Sequence, residues 1–171
     1  MIVLALELST DTGSLCLAEG DRVLFEQAWT EERPRRQPLY AVLHAAVASG
    51  RIALPSVELF AVGVGPGAFA GVRASVAAAC AMALPGGRRV CGVSSSAALA
   101  WDVLAETGAD RVTVVGDARR NQLWVAEFER DDEGPHVAVP WLLADGTVRL
   151  QVCRRTRRYG SHPTGSELRR A

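Results

Sequence analysis

Residues 62–73, Val-Gly-Val-Gly-Pro-Gly-Ala-Phe-Ala-Gly-Val-Arg, constrain this chain more than any other stretch. An apolar run of strand character ends in a glycine-proline-glycine turn, and an almost wholly apolar helix follows. Such a unit requires a sheet on one side of the turn and a helix layered on it, which makes an α/β fold. The free N–H groups at a helix start favour an anion, and glycine permits close backbone approach. Gly65, Gly67, Gly71 and Arg73 are therefore the phosphate-loop candidates. The alternative is that the glycines only form a tight turn, with Phe69 plugging the core. No Gly-Lys-Ser/Thr follows, so this is not a Walker loop.

The rest of the chain reads around this unit. Ile2 to Leu8 is an apolar strand, and Ser14–Ala18 and Arg22–Thr30 follow as a meander turned at Gly20-Asp21. Residues 31–38 are charged and proline-bearing, hence a loop. A helix from Leu39 to Ser49 has Pro38 at its entry and Gly50 at its stop. The strand Leu59–Val64, the helix Gly71–Leu84 and the strand Arg89–Val93 come next. Ser94-Ser95-Ser96 can cap a third helix running to about Thr107. Arg111–Gly116 and Gln122–Glu129 read as strands joined through residues 117–121. After Asp131 the pattern fades, and residues 151–171 have almost no apolar periodicity, so that segment is expected to be disordered or loosely docked.

Two helices are apolar nearly all round. Between Val72 and Leu84 only Arg73 and Ser75 are polar, and between Leu39 and Ala48 only His44 is strongly so. A helix lying on a sheet needs one apolar stripe, so a second apolar face calls for a second cover. The reading places a partner interface on Leu39, Val42, Leu43, Ala46, Val72, Ser75, Val76, Ala79, Met82 and Ala83. The bland alternative is that the helices pack on each other and alanine is a compositional default.

Charge and reactive side chains exclude more than they suggest. The formal net charge is +0, yet from Arg149 onward seven arginines face one acid, net +6, while the first 148 residues hold 12 arginines against 18 acids, net −6. All basic side chains are arginine, which reads as codon bias. Cys16, Cys80, Cys91 and Cys153 form no CxxC pair, and three lie in apolar stretches, as reduced thiols packed in a core would. His44, His136 and His162 are isolated, so no metal site is expected. No GxSxG elbow is present. Glu7 and Asp117 both fall at strand ends, where a general acid/base pair competes with ordinary turn carboxylates. The opening MIVLALELS lacks a basic n-region, and the run 74–84 is half a bilayer span, so neither a leader nor a membrane anchor is expected and the location is expected to be cytoplasmic.

Several segments together resemble one family. Ile2–Thr10, Gly65-Pro66-Gly67-Ala68-Phe69-Ala70-Gly71-Val72-Arg73, Gly92-Val93-Ser94-Ser95, and Asp117-Ala118-Arg119-Arg120 with Trp124 and Glu127 are similar in order and spacing to the TsaB (YeaZ) family. Members are bacterial dimerisation subunits of the tRNA threonylcarbamoyladenosine system. The resemblance implies an actin/Hsp70/sugar-kinase-like (ribonuclease H-like) α/β mixed sheet with flanking helices. It implies an N-terminal lobe over 1–107, a truncated second lobe over 108–148, and an arginine-rich tail over 149–171. It further implies a non-catalytic subunit that pairs with the catalytic homologue TsaD through the helices 39–49 and 71–84. A TsaE-like ATPase joins that system, and a homodimer forms when the chain is alone. tRNA is met only indirectly. No cofactor is implied, with ATP held only at a partner interface. The departures are Glu7 in place of an aspartate, Ala70 in place of a threonine, and a histidine missing before the first helix, where Arg36 and Gln37 stand.

Two other readings stay open on the residues alone. One is a stand-alone nucleotide-binding ATPase or kinase-like enzyme of the same fold, using Gly65–Gly71 for phosphate and Glu7 or Asp117 for magnesium. The other is nucleic-acid binding through Arg154-Arg155-Thr156-Arg157-Arg158, by salt-dependent phosphate attraction.

Overall fold

The computed structural model describes residues 1–30, 38–120, 122–131 and 134–145. Three strands open the chain: β1 (Ile2–Glu7), β2 (Thr12–Glu19) and β3 (Arg22–Thr30). Gly20, at φ +57°, makes the turn between Glu19 and Arg22 that pairs β2 with β3. Helix α1 (Pro38–Ala48), strand β4 (Leu59–Gly63), helix α2 (Phe69–Ala83), strand β5 (Arg89–Val93) and helix α3 (Ser95–Thr107) follow. Strands β6 (Arg111–Arg119), β7 (Gln122–Asp131) and β8 (Gly134–Asp145) complete the described chain.

The strands form two sheets. The first has the order β3-β2-β1-β4-β5, antiparallel across β1, β2 and β3 and parallel across β1, β4 and β5. The expected mixed sheet with flanking helices is therefore what the chain forms. Leu4, Leu6, Leu15, Leu17, Phe60 and Val62 point to one face, where they pack with buried residues of α1 and α2 in one hydrophobic cluster. Helix packing on a sheet follows from strands that alternate buried with half-buried residues, as β1 and β2 do. The second sheet has the order β6-β7-β8 and is antiparallel throughout.

Helix α3 falls within the expected N-terminal lobe by sequence but packs on this second sheet. Its Ala100 and Leu104 cluster with Val114, Trp124, Ala126 and Phe128. Ser94 caps the helix, its side chain accepting from the Ala97 N–H at 3.3 Å, and Gly108 ends it at φ +66°. The serine cap was legible in the sequence.

Strand β8 lies beyond the point where the pattern was expected to fade. Its ladder with β7 shifts register between Val125 and Glu127, where Pro140 and Trp141 stand between the paired residues Val139 and Leu142. A bulge is where a strand tolerates proline, and it also breaks the alternation that sequence reading relies on. The tail 149–171, with its Arg154–Arg158 cluster, lies outside the described residues.

Three further expectations change. Phe69 plugs no core: it is 75% exposed at the start of α2. Cys80 and Cys91 are exposed, and only Cys16 is half-buried; Cys153 lies outside the described residues. The segment Phe69–Gly86 is long and apolar enough to cross a membrane by length and composition, longer than the run 74–84 suggested. Ser75, Ala78, Ala79 and Ala83 of that segment are nevertheless buried against the sheet side of the lobe, as in a core helix.

Candidate functional site

The end of β1 is where the two halves of the described chain meet. Glu7 stands beside the first turn after β1, and its Oε1 accepts from the Ser9 N–H at 2.5 Å. Its Oε2 accepts from the Ser95 hydroxyl at 2.6 Å, at the first residue of α3. Ser95 in turn accepts from the Gly65 N–H at 3.1 Å, and its own N–H donates to the Gly65 carbonyl at 2.9 Å. One serine thus ties together β1, the glycine turn and α3.

The glycines serve this arrangement. A Cβ on Gly63 would overlap the Glu7 carboxylate, and one on Gly71 would overlap the Leu8 carbonyl oxygen. The Ala68 N–H beside Gly67 donates to the Ser9 carbonyl at 2.6 Å. The close approach made by the glycine segment is therefore to the chain's own β1–β2 turn. Of the phosphate-loop candidates, Gly65 is engaged with Ser95, Gly71 lies against Leu8, and Arg73 stacks over the Phe69 ring at 5.5 Å. Gly67 is exposed next to Ser9. Asp117 sits on β6 of the second sheet with its side chain exposed, whereas Glu7 is bound to Ser9 and Ser95.

A cavity of about 150 Å³ opens on the sheet face opposite α1 and α2, lined by Ala5, Glu7, Cys16, Ala61, Val93 and Ala98 among others. Ligand pockets for drug-sized molecules run to about 300–1,000 Å³. The lining is apolar apart from Glu7, Ser14 and Cys16. Burial pushes the Cys16 thiol above its ordinary range, and the nearby Glu26 carboxylate adds to that. Among the described residues no three His, Cys, Asp or Glu side chains converge to hold a metal.

The two apolar helices supply the second candidate surface, and the expected interface residues divide between buried and half-buried positions. Leu39, Val42, Leu43, Ala46, Ser75, Ala79 and Ala83 are buried in the lobe's own core. Val76 and Met82 are half-buried and pack against that core, and Val72 is half-buried. The water-facing stripes are different residues: Tyr40, Ala41, His44, Val47 and Ala48 on α1, and Phe69, Arg73, Ala77, Cys80, Ala81 and Leu84 on and just after α2. Both stripes keep helical spacing. Periodicity identifies a stripe but cannot say which of two apolar faces the sheet takes.

Comparison with known proteins places the fold. The family model for TsaD, tRNA N6-adenosine threonylcarbamoyltransferase, matches residues 32–140. The tRNA threonylcarbamoyladenosine biosynthesis protein TsaB of Escherichia coli K12 is 30% identical over 136 residues, covering 78% of this chain and 58% of that protein. YeaZ from Pseudomonas aeruginosa superposes with a TM-score of 0.73 at 29% identity, over 83% of this chain and 66% of that one. A second Pseudomonas aeruginosa crystal structure, described as similar to peptidase YeaZ, gives a TM-score of 0.75 at 28% identity, over 84% of this chain and 66% of that one. The chain belongs to the TsaB (YeaZ) family. The chain spans less than two thirds of the length of these relatives. The TsaB family works in tRNA threonylcarbamoyladenosine biosynthesis. Glu7 is the residue that reaches Ser95.

Proposed function

We propose that this chain is a non-catalytic subunit supporting threonylcarbamoyl transfer to the tRNA adenosine beside the anticodon, by pairing with a TsaD-like catalytic homologue. The observation that carries this reading is the second apolar face of α1 and α2. Tyr40 is 56%, Phe69 75% and Leu84 81% exposed, on helices whose opposite faces are already buried. Apolar side chains left exposed on both helices mark an interaction surface, since burial of each removes apolar area from water at about 25 cal/mol/Å². The partner supplies the metal and the reacting groups. A TsaE-like ATPase joins the assembly, tRNA is met through the partner, and the chain self-pairs on the same stripe when alone.

The Glu7–Ser95 bond supports the non-catalytic part. A carboxylate already holding Ser9 and Ser95 serves as a structural anchor, and the glycine segment beside it is filled by backbone. ATP, on this reading, is bound only where a partner contributes to the site. The location is cytoplasmic.

The test is co-expression with the TsaD-like homologue from the same cell. The wild-type chain should copurify with it, and Phe69→Asp with Leu84→Glu should abolish copurification while leaving the melting curve of the isolated chain unchanged. Deletion should remove the modified nucleoside from bulk tRNA, restored by wild type and not by the double variant. Normal modification after deletion, or tight binding of ATP and magnesium by the isolated chain in calorimetry, would overturn the proposal.

A further inference from the structure

We propose that Glu7 and Ser95 are positioning residues for the partner surface: acting through the turn 65–68, they fix where Phe69, the first residue of α2, is presented. This rests on the reading that the apolar stripe of α1 and α2 meets a TsaD-like partner, and it adds two residues that lie outside that stripe.

From Gly65 to Gly71 the sequence is Gly-Pro-Gly-Ala-Phe-Ala-Gly, with no polar side chain. Such a segment has no side-chain oxygen or nitrogen to hold its own backbone, and Pro66 lacks an N–H. Ala68, the residue before α2, gives the helix no side-chain cap. The turn is held instead from distant positions. At one end the Gly65 N–H donates to the Ser95 hydroxyl at 3.1 Å, and the Gly65 carbonyl accepts from the Ser95 N–H at 2.9 Å. At the other end the Ala68 N–H donates to the Ser9 carbonyl at 2.6 Å. Both anchors converge on one carboxylate. Glu7 accepts from the Ser95 hydroxyl on Oε2, at 2.6 Å, and from the Ser9 N–H on Oε1, at 2.5 Å. Hydrogen bonds to an ionised acceptor are the shorter and stronger kind, so the carboxylate closes a firm ring around the turn.

What the ring delivers is Phe69. The Ala68 carbonyl accepts from the Val72 N–H at 3.0 Å, so the residue anchored to Ser9 also begins the helix. Phe69 follows it directly, 75% exposed, with Arg73 over its ring. An exposed aromatic anchors a partner best when it is already held in place, because ordering it on contact subtracts from affinity. Ser95 is 5% exposed, too buried for a partner on the stripe to touch. Its effect on pairing therefore travels through the turn.

Calorimetric titration of the full chain with the TsaD-like homologue from the same cell tests this, together with hydrogen exchange of segment 64–72 in the chain alone. Ser95→Ala should weaken pairing about three-fold or more and speed exchange across that segment. Phe69→Ala should weaken pairing about ten-fold. Ser95→Ala added to Phe69→Ala should cost little further, because the lost anchor then positions no ring. Leu104→Ala, in the second hydrophobic cluster, should destabilise the fold at least as much and leave affinity and local exchange unchanged. Ser95→Ala that pairs like wild type, a Ser95→Ala loss that is the same in both backgrounds, or an equal loss from Leu104→Ala overturns this inference and leaves the stripe reading standing. A wild-type chain that does not pair, or Phe69→Ala that pairs as tightly as wild type, overturns the stripe reading and this inference with it.

Discussion

The Ser95 hydroxyl donates to the Glu7 carboxylate at 2.6 Å, joining the first strand to a helix 88 residues later. Sheet and helix belong to different hydrophobic clusters, so this bond and the Gly65–Ser95 pair fix how one half begins relative to the other. Ser95→Ala removes a donor to a charged acceptor and an acceptor for Gly65. It should cost about 1.5–3 kcal/mol in urea unfolding. Glu7→Asp is one methylene shorter and should lose a similar amount, because its carboxylate no longer spans to Ser95.

Gly71 should tolerate no side chain. Its missing Cβ points at the Leu8 carbonyl oxygen, a backbone atom that cannot rotate away. Gly71→Ala should destabilise by about 1–3 kcal/mol, the usual range for overpacking. Thermal unfolding beside an Ala70→Gly control separates this effect from helix propensity.

The two faces of α1 should respond in opposite ways. Leu39 is 0% exposed and Tyr40 is exposed, though they are neighbours. Leu39→Ala should cost about 2–5 kcal/mol through the cavity it leaves. Tyr40→Ala should change stability by less than about 0.5 kcal/mol. Equal losses at the two positions would contradict the orientation described.

Thiol labelling should resolve the three described cysteines. Burial and Glu26 raise the Cys16 thiol above its ordinary range, so less thiolate is present at a given pH. Iodoacetamide at pH 8 should modify Cys80 and Cys91, both exposed, before Cys16. Peptide mass spectrometry gives the order, and Glu26→Gln should narrow the gap.

Glu58 gives an acid-side signature. Its carboxylate accepts from the Ile2 N–H at 2.6 Å, which holds it below the usual range, and the amino terminus at 3.6 Å adds to this. A carboxylate lowered on folding stabilises above its unfolded value, and that contribution is lost as pH falls through the folded one. Glu58→Gln should therefore lower the melting temperature slightly at pH 7 and show a shallower acid limb. Melting curves from pH 7 to pH 3 test the difference.

Much of the first sheet was legible because its signals are local. An apolar run gives β1, Gly20 gives the hairpin of β2 and β3, and the serines at 94–96 give the start of α3. Strand β8 was not legible, since Pro140 interrupts the alternation and only the bulge opposite β7 accommodates it. The candidate site was half legible. The glycine segment stood out, yet what it approaches is its own β1–β2 turn, because Glu7, Ser9 and Ser95 come from distant positions and leave no joint pattern in the chain.

By itself the sequence determined that two helices would carry apolar residues on more than one face, and that strands and glycine turns would alternate with them. Those are properties of spacing, and spacing is local. Only the tertiary structure decided which face of each helix the sheet takes, which oxygen each glycine admits, and that α3 crosses to the second sheet. Each of these depends on the volume left by residues far away in the chain, such as Phe60 beneath the helices or Phe128 beneath α3.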